Sequence, residues 1–451
     1  MAGVAGCDLA PDYTPPRFAF KSGYDGVTRA VPVLLEDRAW WREFDDPALT
    51  GLIATGLSGN LDIALARERV REARAGLTGV APNATVTPSF AAETGGEFDA
   101  GAVTTTESAL GFSWMLDPYG QRAARLRAAA ARVEVADART DAARLVLLSE
   151  LAGAYLDLRF SQRALGLRRG QLASRRETVR IVRTLMENGA ATRLDLIRTE
   201  ALVAETEALI PPLEADIRAG RNRIAVLLGQ QPGRLDPDPG SGAQPVPDMV
   251  PETGVPADLL RNRPDLLVRE RLYYAAIEDI ADARADLYPR LFLSGTLTLD
   301  SIDDATRASY LFGPSIRFPA LPNSPRRGEV KARESRARQA HTEWTRTVLT
   351  AVEEVESAQA SYGASRRAAE AAGRTAAAYR ESLRLTKTLV REGGATIRDL
   401  IEAEQRIAEA DITRARTLRD VGRDFVRLNV ALGAGKDGMI AARSADSGNA
   451  G

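Results

Sequence analysis

Residues that ordinarily carry chemistry are scarce in this chain. Its 451 residues include one cysteine, Cys7, and one histidine, His341. No internal disulfide can form, and nearly all Cys/His metal sets are excluded. Any Ser/His or Cys/His nucleophile scheme would have to use His341 itself. His341 stands among Arg338, Glu343 and Arg346 in a helical stretch, the setting of a solvated histidine. Carboxylates are plentiful, yet no local context isolates the pair that a glycosidase needs. The sequence therefore predicts no catalytic site, no metal and no cofactor. Sixty Lys and Arg against 61 Asp and Glu give a formal net charge of -1, so nothing pulls the chain as a whole toward nucleic acid.

Cys7 invites a different chemistry. Val4-Ala5-Gly6-Cys7 resembles a bacterial lipobox. Small residues there suit a peptidase that cuts before the cysteine, and the thiol is the nucleophile that accepts a diacylglyceryl group. Only six residues precede Cys7, fewer than a charged region plus an apolar segment of roughly 7–15 residues requires. This reading expects a start placed too late or a trimmed signal. Asp8 complicates sorting, because Asp after the lipidated cysteine resembles an inner-membrane retention signal in some bacteria.

The other candidates sit in two turns that repeat. Residues 185–197 (LMENGAATRLDLI) align with 389–401 (LVREGGATIRDLI), an offset of 204 residues (393 − 189). The same offset pairs Glu200 with Glu404, residues 223–229 (RIAVLLG) with 427–433 (RLNVALG), Glu150 with Glu354, and Ala154 with Ala358. Ala81-Pro82 matches Tyr288-Pro289 with a small change in length. A register held over most of a half establishes internal duplication. The period is too long for a solenoid, so each half is a multi-element unit.

Each half must position its turn with the order helix, two strands, very long helix, turn, helix. The first helices are predicted over roughly 58–80, where Leu61, Leu65, Glu68 and Glu72 follow helical spacing, and over roughly 256–286. Ala-, Arg- and Glu-rich stretches without interior Pro predict long helices over about 121–186 and 327–391. Some 65 residues of helix would span roughly 100 Å. Val133, Leu145, Leu148, Leu151, Tyr155 and Leu158 recur near helical spacing, as in helices that pack like coiled coils. Taken alone, the helices would equally suit a cytosolic coiled-coil scaffold.

Strands separate these readings. Residues 84–90 and 291–300 alternate, with Leu291, Leu293, Leu297 and Leu299 on one face. Loops are expected at about 94–106 and 301–308. Returning strands follow, with Leu110, Phe112, Trp114 and Leu116 in one and Phe312, Ile316 and Phe318 in the other. Strands of about ten residues with one apolar face suit a transmembrane β-barrel; two half-buried hairpins are the alternative. Pro88 and Pro314 count against regular pairing. No run of about 18 apolar residues occurs, so a membrane crossing requires a closed barrel. Four strands cannot close one, which requires several chains.

Within the turns, Gly189 and Gly393 suit a helix end that reverses with φ > 0, while Thr192 and Thr396 can cap the next helix with Asp195 and Asp399 at its positive end. The domains expected are a lipidated arm and equatorial segment over 1–57, a first repeat over 58–229, a linker over 230–255, a second repeat over 256–433 and a tail over 434–451.

With these residues in view, the chain resembles the outer-membrane factors of tripartite export systems, specifically the lipoprotein branch of multidrug efflux. The resemblance covers nearly the whole chain. It rests on the lipobox with Pro11-Asp12-Tyr13, on 40–49 (WWREFDDPAL), Asn60-Leu61-Asp62, Arg263-Pro264-Asp265, Tyr288-Pro289 and the two Gly-x-x-Thr-x-x-Asp turns. It implies an α+β membrane protein: a homotrimer with long antiparallel helices in an α-barrel and four strands per chain in a transmembrane β-barrel. It would be lipid-anchored in the bacterial outer membrane and reach into the periplasm. It also implies that Gly189, Ala190, Ala191, Thr192, Gly393, Gly394, Ala395 and Thr396 dock a periplasmic adaptor, which connects to an inner-membrane pump. Asp195, Asp399 and Glu402 would form an acidic ring that gates the aperture, with Arg193 and Arg398 as the nearest ion partners. The function implied is a passive exit duct for drugs or other small molecules. Type I protein or peptide secretion, and a periplasmic coiled-coil adaptor, are the alternatives.

Overall fold

The computed structural model describes residues 9–11, 13–24, 39–97, 101–247, 254–302 and 305–435. Cys7 with its lipobox, Asp8, Asp12 and the tail beyond 435 lie outside the described residues. In chain order the first half contains α1 (Pro47–Gly59), α2 (Leu61–Thr78), β1 (Ala84–Glu97), β2 (Gly101–Leu116), α3 (Gln121–Glu187), α4 (Arg193–Ala208) and α5 (Ile210–Leu227). The second contains α6 (Leu259–Asn262), α7 (Pro264–Ala285), β3 (Arg290–Ile302), β4 (Ala305–Arg317), α8 (Ser324–Arg391) and α9 (Ile397–Ala431). The expected long helices are present at 67 and 68 residues. Two compact units result, and each draws on both halves. The duplication is therefore one of pattern, not of separately folded domains.

Three details differ from the sequence reading. First, α2 buries Ile63, Ala66 and Val70, whereas Leu61 and Leu65 point outward at 69% and 50% exposure. The segment Pro47–Thr78 is long and apolar enough to cross a membrane by composition, but Asn60 adopts an extended conformation and divides it. Second, the Gly- and Thr-rich stretches expected as loops are strand, because each pairs across the hairpin: Thr94 lies opposite Thr104 and Ser301 opposite Thr306. Third, the return helix is continuous in the second half but broken at Leu209 in the first. Pro211 and Pro212 lack the N–H a continuing helix needs and sit in the first turn of α5 instead, where no donor is required. Their counterparts at the offset of 204 are Ala415 and Arg416.

Each half closes on itself through the same junction. Gly229 and Gly433 end the return helices at φ of +74° and +76°. A Cβ on Gly229 would lie 2.3 Å from the Gly59 carbonyl oxygen, and one on Gly433 would lie 2.5 Å from that of Asn262. Immediately after those contact points, Asn60 donates to the Leu227 carbonyl at 2.8 Å and Arg263 donates to the Ala431 carbonyl at 2.9 Å. Leu227 and Ala431 are themselves related by the offset. The two signatures Asn60-Leu61-Asp62 and Arg263-Pro264-Asp265 thus do one job: they satisfy a terminal carbonyl that a helix end leaves open.

In the larger unit Trp40, Trp41, Phe44 and Phe425 pack as edge-on rings, and these rings, like Leu148, Leu151 and Leu156, are nearly fully buried. Asp46 ties this core together. Its Oδ1 caps α1 by accepting from the N–H groups of Ala48 and Leu49, and its Oδ2 accepts from the Tyr155 hydroxyl at 2.6 Å. Burial, with that contact, pushes the Tyr155 phenol well above its usual range. Arg159 donates to the same hydroxyl and to the carbonyls of Pro239 and Gly240, fastening the linker to α3.

Candidate functional site

The sheet runs β1-β2-β3-β4, antiparallel throughout. Because side chains alternate along a strand, register decides which residues share a face. Pairing Val86 with Phe112, Leu110 with Leu297 and Leu297 with Tyr310 gathers one set. That face carries Phe90, Trp114, Leu293, Leu299, Phe312 and Ile316, with no charged residue in it. The opposite face carries Thr87, Ser113, Ser294, Thr296, Ser309 and Arg317. The apolar face is open: Phe90 is 71% exposed, Tyr310 81% and Phe312 65%. Gly295 belongs to it because the Phe312 ring lies across that position, where a Cβ would come within 2.5 Å. Pro88 and Pro314 fall on β1 and β4, the two outer strands, where a missing ladder donor is tolerated.

The two turns are built alike. Ala190 N–H donates to the Leu185 carbonyl and Gly189 N–H to that of Met186, while Gly394 and Gly393 repeat the pattern on Leu389 and Val390. These are Schellman ends, with glycine at φ +74° and +76°. Thr192 and Thr396 then cap α4 and α9 in reciprocal boxes. Asp195 accepts from the Thr192 backbone N–H at 3.1 Å and hydroxyl at 2.5 Å; Asp399 accepts from those of Thr396 at 2.8 and 2.6 Å. These hydrogen bonds hold both carboxyls below the usual carboxylate range. The cationic neighbours of Asp195 are Arg198 and Arg398, and Arg398 also bears on Asp399. The sequence reading names Arg193 and Arg398 as the nearest ion partners; the cations that bear on these carboxylates are Arg198 and Arg398. Glu402 pairs along its own helix with Arg406 at 3.5 Å. His341 is exposed beside Tyr273 and Trp344.

Behind the turns lies a set of ion pairs that single residues did not reveal. Arg176–Glu207, Arg180–Glu177 and Arg183–Glu200 recur at the offset as Arg380–Asp411, Arg384–Glu381 and Lys387–Glu404. Most are exposed, where solvent screens the attraction, so they fix register more than stability. Glu404 differs: it is 5% exposed and accepts from Ser174 at 2.6 Å and Thr178 at 3.2 Å on α3. The duplicated Arg/Lys–Glu spacing was the signal that could have found this set.

Comparison with known proteins agrees with this geometry. The family model described as outer membrane efflux protein matches residues 52–230 and again 255–434, one match per half. The chain is 33% identical to nodulation protein T of Rhizobium leguminosarum bv. viciae over 96% of its own length and 91% of that protein's. It is 27% identical to outer membrane protein OprJ of Pseudomonas aeruginosa, covering 86% of this chain and 85% of OprJ. Among solved structures, the outer-membrane channel OprN superimposes with a TM-score of 0.86 at 30% identity, over 95% of this chain and all of that one. Neisseria gonorrhoeae MtrE, at 23% identity and a TM-score of 0.85 over 96% of this chain and 99% of that one, shares the fold. The chain belongs to the outer membrane efflux protein family, whose members are channels of the outer membrane and transporters rather than enzymes.

Proposed function

We propose that this chain is one of three identical subunits of an exit duct, closed by a shared β-barrel in the outer membrane and fed from the periplasm by an adaptor and its inner-membrane pump. The observation that carries the reading is the sheet: four strands, one face uncharged and open with its large apolar side chains exposed, and outer strands β1 and β4 each paired on one side only among the described residues. An unpaired edge is not viable in lipid, and three copies would supply about twelve strands. The tip turns, Gly189–Thr192 and Gly393–Thr396, are the proposed adaptor surface, and Asp195, Asp399 and Glu402 the proposed acidic aperture. Carboxylates at a constriction attract cations and repel anions. Detergent-purified protein should have the mass of three chains and conduct in planar bilayers, and Asp195→Ala with Asp399→Ala should raise that conductance. Monomers without conductance would sink the duct; unchanged conductance in the double variant would remove the gate alone.

A lipid at Cys7 fits the arm that follows it. The Leu9 carbonyl accepts from Arg284 at 3.5 Å, and Tyr13 packs edge-on against Tyr274 and donates to Glu270. These contacts fasten the arm to α7, the helix that leads directly into β3. Burial against α7 raises the Tyr13 phenol to about 12. An anchor there would enter lipid beside the foot of a strand. Cells fed a labelled fatty acid should label the wild-type chain and not Cys7→Ser; equal labelling would exclude the anchor.

A further inference from the structure

Charge is unevenly distributed over the polar face of the sheet. At its foot, where α7 leads into β3, Arg290 stands directly opposite Arg317. Roughly 30 Å further along the strands, Arg307 stands opposite Asp300, and Asp300 opposite Glu107. In the rows between, this face holds no charged residue. The far row thus sets Arg307 beside carboxylates, whereas the foot sets two cations side by side. Like charges directly opposite one another repel.

Arg290 is relieved by an ion pair with Asp286, whose Oδ1 also accepts from Gln121 at 2.8 Å. Arg317 has no such relief. Among the described residues its guanidinium meets no carboxylate and no carbonyl; its contact is the ring of Phe292, with the guanidinium carbon 5.0 Å from the ring centre. Phe292 lies on the same face, opposite Ser315. Stacking on a ring engages the flat side of a guanidinium and leaves the N–H donors at its edge open. Nor does the fold ask for a cation here. Gly111-Phe112-Ser113 in β2 matches Gly313-Pro314-Ser315 in β4, which puts Met115 where the second half has Arg317.

We propose that the foot of the polar face is an anion-binding site, in which Arg317, seated on Phe292 and backed by Arg290, takes the carboxylate, sulfonate or phosphate group of a passing solute through its open N–H edge. A planar fork of donors matches such groups two bonds at a time. The site rests on the duct argued above, in which the polar face is the wetted one. Repeated in each subunit it becomes a ring of guanidinium groups, the arrangement that favours anions in a pore.

In a Cys7→Ser background, which leaves no native thiol, Ser315→Cys places a thiol on the same face as Arg317, one row away. In liposomes it should react at least tenfold faster with the anionic sulfonatoethyl methanethiosulfonate than with the cationic trimethylammonium reagent, each rate taken relative to a free thiol. Arg317→Gln in the same chain should abolish that preference. Potassium sulfate should slow the anionic reagent at least threefold more than potassium chloride at equal ionic strength, where screening is the same, and should lose this effect in Arg317→Gln. A preference that survives Arg317→Gln, or sulfate that protects no better than chloride, would overturn the site and leave the duct standing. Labelling of Tyr310→Cys on the apolar face, with none of Ser315→Cys, would mean that the polar face is not the wetted one and would remove the duct and the site together.

Discussion

Replacing Gly433 by Ala is expected to destabilise the larger unit by roughly 2–5 kcal/mol, the sum of a left-handed backbone penalty of about 1–2 and an overpacking cost of about 1–3. Gly433 has φ +76°, and its new Cβ would fall 2.5 Å from the Asn262 carbonyl oxygen and 2.7 Å from the carbonyl carbon. Those are backbone atoms, so no side-chain rotation relieves the collision. α9 would have to withdraw, and the Arg263 contact with the Ala431 carbonyl would go with it. Gly229→Ala should behave alike, since φ is +74° and the Gly59 carbonyl oxygen lies 2.3 Å away. Gly189 offers the internal comparison: φ is again +74°, but nothing lies within 4 Å of its Cβ position. Gly189→Ala should therefore cost only the backbone part. Thermal unfolding followed by far-UV circular dichroism of detergent-solubilised protein reads the order; a Gly433→Ala variant as stable as Gly189→Ala would refute the close-approach argument.

That comparison also marks what could be read from the chain before its fold. Glycine before Thr-x-x-Asp speaks of a reversing helix end by local chemistry alone, and both turns have the conformation expected of them. The long helices and the shared face of Leu291, Leu293, Leu297 and Leu299 were legible for the same reason, since periodicity is local. Gly229 and Gly433 were visible only as matching letters, because their crowding comes from Gly59 and Asn262, far away in sequence. Leu61 and Leu65 marked the helix by their spacing, yet Ile63, Ala66 and Val70 are its buried residues. A helix with apolar residues on two sides does not announce which side its neighbours will take. Thr94 and Val103 read as loop because glycines surround them; the ladder that makes them strand is set by pairing. Glu200 and Glu404 align perfectly, and only the chain that covers one of them distinguishes a surface ion pair from a buried one.

Arg263→Ala is expected to cost about 2–3 kcal/mol, somewhat below the 3–5 typical of breaking a buried ion pair, because one partner of the cluster is buried and the others are not. The Arg263 side chain is 11% exposed, while Asp265 and Glu354 are 41% and 42% exposed. Left alone, the two carboxylates would recover water, which discounts the loss. The Ala431 carbonyl recovers little and would be left without its donor. Burial works against the guanidinium's charge, but Asp265 and then Glu354 outweigh it and hold the group protonated more firmly than usual. Arg263→Lys should rescue only part of the loss: a single ammonium cannot give Asp265 the two parallel bonds at 3.0 and 2.7 Å while also reaching Glu354 and Ala431. Asn60→Ala, at the matching place in the first half, removes a neutral donor to Leu227 and the cap on Asp62 and Ile63. It should cost about 1–2 kcal/mol. If the junctions are equivalent in kind, both variants will lower the same cooperative transition, with Arg263→Ala the larger. A separate, earlier transition for either one would mean that the two halves close independently and that the matching geometry does not make them one folding unit.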